Sequence, residues 1–438
     1  MASKPEESVR DASGAALVGL AMTFGNLCAY GFVVLAAQVL EPSRFGEVGA
    51  IMGLLLVLGV VSLGLQATAA RVVASAGKSS AAIERRALRA GARAALVIVI
   101  GGCLLTPLTV LALDLSSPLT SLFAVVAAAE LALMGAAAGL LQGLRAWRPF
   151  ALVQLVYGLG RLGVGGGLVL LWPTAAGAAL GVAIGAALPA TVAVLLVRAR
   201  RARSTDGTDP DQRASAGTSA AATAADRHRH ADLGLVPVLR GSHLLLALLV
   251  LSNVDILLSR STLTDHQSGL YAAGLIVTKA VLFLPQFVIT VAFPDMVERD
   301  ARKALRITLA AVLGLGVIAV LSVGALSSLA LVFVGGQGYA EIRGSLWLFA
   351  VLGTVLALVN VLVFRFLATA RTGMQWWVWT AVALIVAIGS FTDSPRQLLT
   401  VMIAADTALL CVLGWRELGR RRPGVSAPPR ARSRPAPH

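Results

Sequence analysis

Twelve runs of mostly apolar residues, each close to the length that crosses a bilayer, take up most of this 438-residue chain. A helix of about 20 apolar residues, rising 1.5 Å per residue, covers the roughly 30 Å hydrocarbon core of a membrane. The runs lie at 14–40, 46–73, 93–113, 119–142, 150–171, 174–198, 237–259, 269–293, 305–333, 343–367, 374–391 and 396–416. Turn-forming residues separate several of them: Glu41-Pro42-Ser43, Ser117-Pro118, Trp172-Pro173 and Ser394-Pro395. Composition leaves no soluble alternative. Hydrophobic residues make up 57% and charged ones 13%, whereas a soluble domain carries roughly 25% charged residues. The first run is too long for a signal-peptide core, so it reads as a retained helix. The expected fold is an all-α polytopic membrane protein with twelve transmembrane helices.

A net charge of +15 and a pI near 11.1 would suggest nucleic acid in a soluble chain. Here the placement of the charge explains it. With the N-terminus in the cytoplasm, loops on that side hold 31 Lys and Arg, and the opposite loops hold four: Arg44, Arg260, Arg343 and Arg396. Loops rich in Lys and Arg stay cytoplasmic, so both termini are expected there. Nucleic acid is excluded as a partner.

Residues 199–236 interrupt the pattern. They are rich in Ala, Ser, Thr, Asp and Arg and cannot bury a core. They divide the chain into an N-terminal six-helix lobe (1–198) and a C-terminal six-helix lobe (237–416), with a disordered cytoplasmic tail at 417–438. His228 and His230 read as part of a solvated linker rather than a metal site. The halves resemble each other: Phe45-Gly46-Glu47-Val48-Gly49-Ala50 opens the second run, and Ser268-Gly269-Leu270-Tyr271-Ala272-Ala273 opens the eighth. Six is even, so both halves enter from the cytoplasm. The repeat is therefore parallel, with a pseudo-twofold axis along the membrane normal and substrate between the halves.

The signatures of enzymes are missing. Ala76-Gly77-Lys78-Ser79 mimics the end of a phosphate loop, but Val72 stands where its first glycine is required. No outer loop is long enough to carry paired catalytic carboxylates, and Cys28, Cys103 and Cys411 are scattered through apolar runs. Neither a metal nor a cofactor is expected. Gly135, Gly139 and Gly143, and likewise Gly177, Gly181 and Gly185, have the spacing that lets helix backbones approach closely. Pro285 is a candidate kink.

Ionisable residues inside spans are costly and mark function by default. Glu130 and Arg161 each lie about 16 Å deep by helical rise, where a hairpin could pair them. Lys279 lies near mid-span, with Asp255 about 9 Å nearer the outer surface, which leaves the lysine freer to meet an anion. Arg365 is near enough to the cytoplasmic end to snorkel. Asp406 has no obvious partner. Asn26, Gln66, Gln154, Asn253 and Gln286 could line a cavity or bond helix to helix. The candidate substrate groups are thus Arg161, Lys279, Arg365, Asn26, Gln66, Asn253 and Gln286. Glu130, Asp255 and Asp406 are candidates for charge pairing or coupling. One midplane cation in each half suits an anionic head group.

Four segments carry a family resemblance. Glu41-Pro42-Ser43-Arg44-Phe45-Gly46-Glu47 resembles the "LGP..YG" turn of polysaccharide-exporting membrane proteins, and Leu140-Leu141-Gln142-Gly143-Leu144-Arg145-Ala146-Trp147 resembles their "QG..R" segment. Ser252-Asn253-Val254-Asp255-Ile256-Leu257-Leu258 resembles their "N.D..L". The longest likeness is Gly269-Leu270-Tyr271-Ala272-Ala273-Gly274, continuing through Lys279 to Phe283-Leu284-Pro285 and Phe293-Pro294. Together they resemble the multidrug/oligosaccharidyl-lipid/polysaccharide (MOP) flippase superfamily, in its O-antigen and polysaccharide branch. That resemblance implies a MATE-like fold of two six-helix lobes around an alternately opening cavity in the plasma membrane. The implied cargo is a polyprenyl-diphosphate-linked oligosaccharide, carried from the inner to the outer leaflet for cell-surface polysaccharide synthesis. Membrane lipids, a polysaccharide polymerase and glycosyltransferases are the implied partners. A cation-coupled multidrug efflux antiporter of the same superfamily is the alternative. The first span has no carboxylate of the kind some of those antiporters use.

Overall fold

A computed structural model of the chain describes residues 4–76, 81–206, 243–283, 301–368 and 373–418. Every regular element among them is helical. In the first half these are α1 (Lys4–Val39), α2 (Pro42–Ala76), α3 (Ala81–Ala112), α4 (Pro118–Gly143), α5 (Trp147–Leu159), a π turn (Gly160–Gly165), α6 (Gly166–Leu171) and α7 (Ala175–Asp206). The second half has α8 (His243–Leu251), α9 (Val254–Thr262), α10 (Asp265–Phe283), α11 (Ala301–Ala325), α12 (Ser327–Val334) and a 3-10 segment (Gly336–Ser345). It closes with α13 (Leu346–Ala368), α14 (Gln375–Gly389) and α15 (Pro395–Leu418).

Among the described residues, nine helical stretches are long and apolar enough to span a membrane. The other three expected runs fall on the broken pair α8–α9, on α10 at the edge of the described residues, and on the 15-residue α14. The chain is a multi-pass membrane protein; the count of twelve remains an expectation from the sequence. Helix α7 continues to Asp206, past the expected start of the linker. The rest of the linker, the tail beyond Leu418, Pro285 and Gln286 lie outside the described residues.

Local chemistry sets the helix starts. Pro42, Pro118 and Pro395 each open a helix, where a missing N–H costs nothing and φ is already helical. Ser117 caps α4 by accepting from the Leu119 amide at 3.2 Å. Helix α12 stops at Gly335 and Gly336, whose φ values of 133° and 76° suit glycine.

Helix α4 is the buried centre of the N-terminal lobe, packed against α2, α3 and α7. Its glycine row explains how. A Cβ on Gly135, Gly139 or Gly143 would collide with the Ser62, Gln66 or Ala70 carbonyl, so three positions spaced by four on α4 seat on three positions spaced by four on α2. Gly181 and Gly185 likewise seat on Gly165 and Gly160 of the π turn.

The two halves meet through α2 against α9 and α10. A Cβ on Gly46 would strike Ser268 and Gly269, and one on Gly269 would strike the Pro42 carbonyl. Gly49 faces Ala272 and Ile256. The two copies of the internal repeat thus pack on each other across the seam.

Candidate functional site

The seventh expected span is not a continuous helix. It breaks at Ser252-Asn253, where Asn253 has φ −140° and ψ −1°. In an unbroken helix the Ser252 carbonyl would accept from the Ile256 amide, but that amide donates instead to Asp255 Oδ1 at 2.8 Å. A freed carbonyl at membrane depth requires another donor. Lys279 of α10 supplies it, donating from Nζ to the Ser252 carbonyl and, at 3.1 Å, to Asn253 Oδ1. Asn253 is in turn fixed by its own Nδ2 donating to the Leu249 carbonyl at 2.8 Å. Lys279 is therefore partnered, where the sequence suggested a freer cation, and its partners are the break itself.

Arg161 occupies the π turn within the fifth span. One extra residue per turn shifts the side chains that follow, and such turns recur at functional sites. Close packing pins the segment: a Cβ on Gly158 would collide with Gly25 of α1, and one on Gly160 with the Gly185 carbonyl of α7. The guanidinium donates to Tyr157 Oη at 3.4 Å and to Met52 Sδ at 2.8 Å, and lies 5.7 Å from the centre of the Phe32 ring. Its Nε is buried with no hydrogen-bond partner. A buried donor left unmatched is uncommon and marks a place for an acceptor.

Both cations line one cavity between the lobes, with about 990 Å³ of empty space. Asn26 and Asn253 line it too. Its walls are otherwise mainly apolar, from Val33, Phe45, Met52, Leu56 and Leu275 among others, with Tyr30 and Tyr157 adding two hydroxyls. Such walls lower the local dielectric and strengthen the field of each cation.

One end of the cavity is tied shut. Tyr30 Oη donates to the Ile276 carbonyl at 3.3 Å, Gln38 to the Val332 carbonyl at 3.5 Å, and Tyr339 Oη to the Leu40 carbonyl at 3.1 Å. Arg260, 3% exposed, reaches across from α9 to the Leu113 carbonyl at 2.7 Å and to the Asp114 carbonyl, while pairing with Asp265 at 2.8 Å. Sequence reasoning placed Arg260 in an outer loop and gave it no role. Its neighbours Ser259, Ser261 and Thr262 are polar, so the sequence carried no sign that it would be buried.

Other candidates sit elsewhere. Gln66 donates to Gln142 Oε1 at 2.9 Å between α2 and α4, and Arg365 pairs with Glu417 at 3.1 Å between α13 and α15. Neither is among the residues that line the cavity, and each joins two helices. Glu130 and Arg161 form no ion pair, and Glu130 Oε2 is buried without a hydrogen-bond partner. Asp255, 2% exposed, accepts from Tyr271 Oη at 3.4 Å inside the C-terminal lobe. Asp406 is fully buried near enough to feel the charge of Asp255, and both its oxygens lack partners. Neither carboxylate lines the cavity, but Asp255 lies within electrostatic reach of the Lys279 ammonium that does.

Residues 12–214 match the family profile described as polysaccharide biosynthesis protein. The solved structure of the lipid II flippase MurJ in an inward closed conformation aligns with TM-score 0.67 and 13% identity, over 92% of this chain and 87% of that one. An inward-facing MATE family multidrug resistance transporter of the MOP superfamily aligns with TM-score 0.61 and 12% identity, over 91% and 94%. A eukaryotic MATE transporter gives 0.54 and 12%, over 94% and 96%. A search of curated proteins found no match. These likenesses show the fold, the one shared by MATE transporters and MurJ; the matched proteins are transporters and flippases rather than enzymes.

Proposed function

We propose that this chain, which has the MOP-superfamily fold and the polysaccharide biosynthesis profile in its first half, is a lipid-linked oligosaccharide flippase. Its cargo is a polyprenyl-diphosphate-linked oligosaccharide, moved from the inner to the outer leaflet of the plasma membrane for cell-surface polysaccharide synthesis. The lobes are 1–198 and 237–416, joined by a cytoplasmic linker at 199–236 and followed by a cytoplasmic tail at 417–438. The polymerase and glycosyltransferases of that synthesis are its functional neighbours.

The observation that carries this reading is the seam cavity with one cation from each lobe, in which Arg161 keeps an unpartnered buried Nε. A diphosphate supplies acceptors and two or more negative charges, each charge-assisted hydrogen bond contributing roughly 1.5–3 kcal/mol. The apolar walls suit the first prenyl units, and Asn26 suits the first sugar. With the cytoplasmic ends placed by the positive-inside rule, the tied end of the cavity faces outward, which is the loading state for an inner-leaflet cargo. A cationic drug would meet two positive charges here, so efflux is the less favoured reading.

Cells depleted of the protein, with redundant flippases removed, should lose exposure of lipid-linked oligosaccharide on the outer leaflet while still synthesising it inside. Unchanged exposure would reject the cargo; restored drug sensitivity in the same cells would favour efflux.

A further inference from the structure

A second groove lies on the N-terminal lobe, with about 880 Å³ of empty space and no lining residue in common with the seam cavity. Its two banks are α3 and α7, and its floor is Leu133 of α4. On α3 the lining positions Arg85, Leu88, Arg89 and Ala92 fall at i, i+3, i+4 and i+7, one helical face. On α7 they are Val194, Val197 and Arg198, again one face. The two helices run in opposite directions, so Arg85, Arg89 and Arg198 gather at the same end of the groove. Ala92 and Val194 lie deeper, about 10 Å further along α3 from Arg85 to Ala92.

The three arginines are exposed, and none has an ion pair or side-chain hydrogen bond among the described residues. Glu84 also lines the groove but is buried and already has an interaction. Three cations against one carboxylate leave a surplus of positive charge at the mouth of an apolar trough. The beyond-groove part of α3 is lipid-facing: Leu96, Val97, Ile100, Leu104, Leu108 and Leu111 are all exposed. The groove therefore opens sideways onto the bilayer.

We propose that this groove is a binding site for an anionic bilayer phospholipid, its phosphate held by Arg85, Arg89 and Arg198 and an acyl chain laid over Leu88, Ala92, Leu133 and Val194. Charge complementarity at the rim and apolar walls below fit an amphiphile of that polarity. The separation from the seam cavity assigns the site to a resident lipid and not to the transported cargo.

The full chain, purified in a neutral detergent, tests this by thermal shift and native mass spectrometry with three probes: dioleoyl phosphatidylglycerol, dioleoyl phosphatidylcholine and undecaprenyl diphosphate. Phosphatidylglycerol should bind saturably and raise Tm; phosphatidylcholine should not. The triple variant Arg85→Gln/Arg89→Gln/Arg198→Gln should weaken that binding about a hundredfold, at roughly fivefold per arginine near a membrane surface. Arg86→Gln/Arg93→Gln, which removes nearby charge from outside the groove, should retain it. Ala92→Trp fills the trough with the arginines intact and should also weaken binding. Equal losses in the two Arg→Gln variants would reduce the effect to diffuse surface charge and overturn the site. Displacement of phosphatidylglycerol from the groove by stoichiometric undecaprenyl diphosphate would overturn the choice of occupant. Lipid-free Tm values close to the unmutated chain's keep a folding defect from being mistaken for either.

Discussion

Lys279 both carries a charge into the seam cavity and supplies donors to the break it covers, and the two roles can be separated. Lys279→Ala leaves the Ser252 carbonyl and Asn253 Oδ1 without their donor, a loss of about 1–3 kcal/mol for a buried acceptor left unmatched. Lower abundance is therefore expected. Lys279→Gln keeps a donor and removes the charge, so abundance should recover while an anionic cargo binds about ten- to a hundredfold more weakly. Transport and abundance measured for both variants check this. Normal transport by Lys279→Gln would leave this cation only a structural part. Arg161→Ala contrasts with it. Because no Glu130 pair is broken, Glu130→Ala on the same chain should give no rescue of abundance.

At the scale of elements, the hairpin between α9 and α10 carries the test of orientation. Thr264 is exposed there, while Leu263 and Ser268 on either side are buried. In a chain whose Cys28, Cys103 and Cys411 are replaced, Thr264→Cys should react with an impermeant thiol reagent applied to intact cells. A cysteine at Ala221 should react only after lysis. The reverse pattern would invert the topology and the direction of transport. The same scale shows what glycine spacing can specify. Gly139→Leu must push α4 off the Gln66 carbonyl, and the overpacking should cost about 1–3 kcal/mol or more, read as lost abundance and a lower Tm.

For the whole molecule, the relevant quantity is the balance between the tied and open seam. Tyr339 Oη to the Leu40 carbonyl is one of the bonds that hold the lobes at this end. Tyr339→Phe removes it without changing the ring that packs against Phe45 at 6.2 Å. A loss of about 1 kcal/mol shifts the equilibrium about fivefold toward the open seam. A cysteine at Ala29, on the cavity wall, should then react about that much faster from outside. An unchanged rate would assign the closure to Arg260 and the α2–α10 contact.

Some of this was legible in the chain itself. Spans are set by apolar length against a fixed hydrocarbon thickness, and starts such as Pro42 and Pro118 by a fixed φ, so these local quantities survive any tertiary arrangement. The glycine rows and the repeat at Gly46 and Gly269 were legible for the same reason: a missing side chain permits only one kind of contact. Arg161, Lys279, Asn26 and Asn253 stood out because charge and amide groups are expensive in apolar runs. Which of the polar residues face a cavity was not legible. Gln66 and Arg365 carry the same chemical signal as Asn26 and Arg161, yet their partners Gln142 and Glu417 lie on other helices, 76 and 52 residues away. The break at Ser252-Asn253 and the bridging role of Arg260 had the same cause, since each depends on donors and acceptors brought from distant segments. Sequence fixes how costly a group is inside the membrane; only packing decides which group relieves that cost.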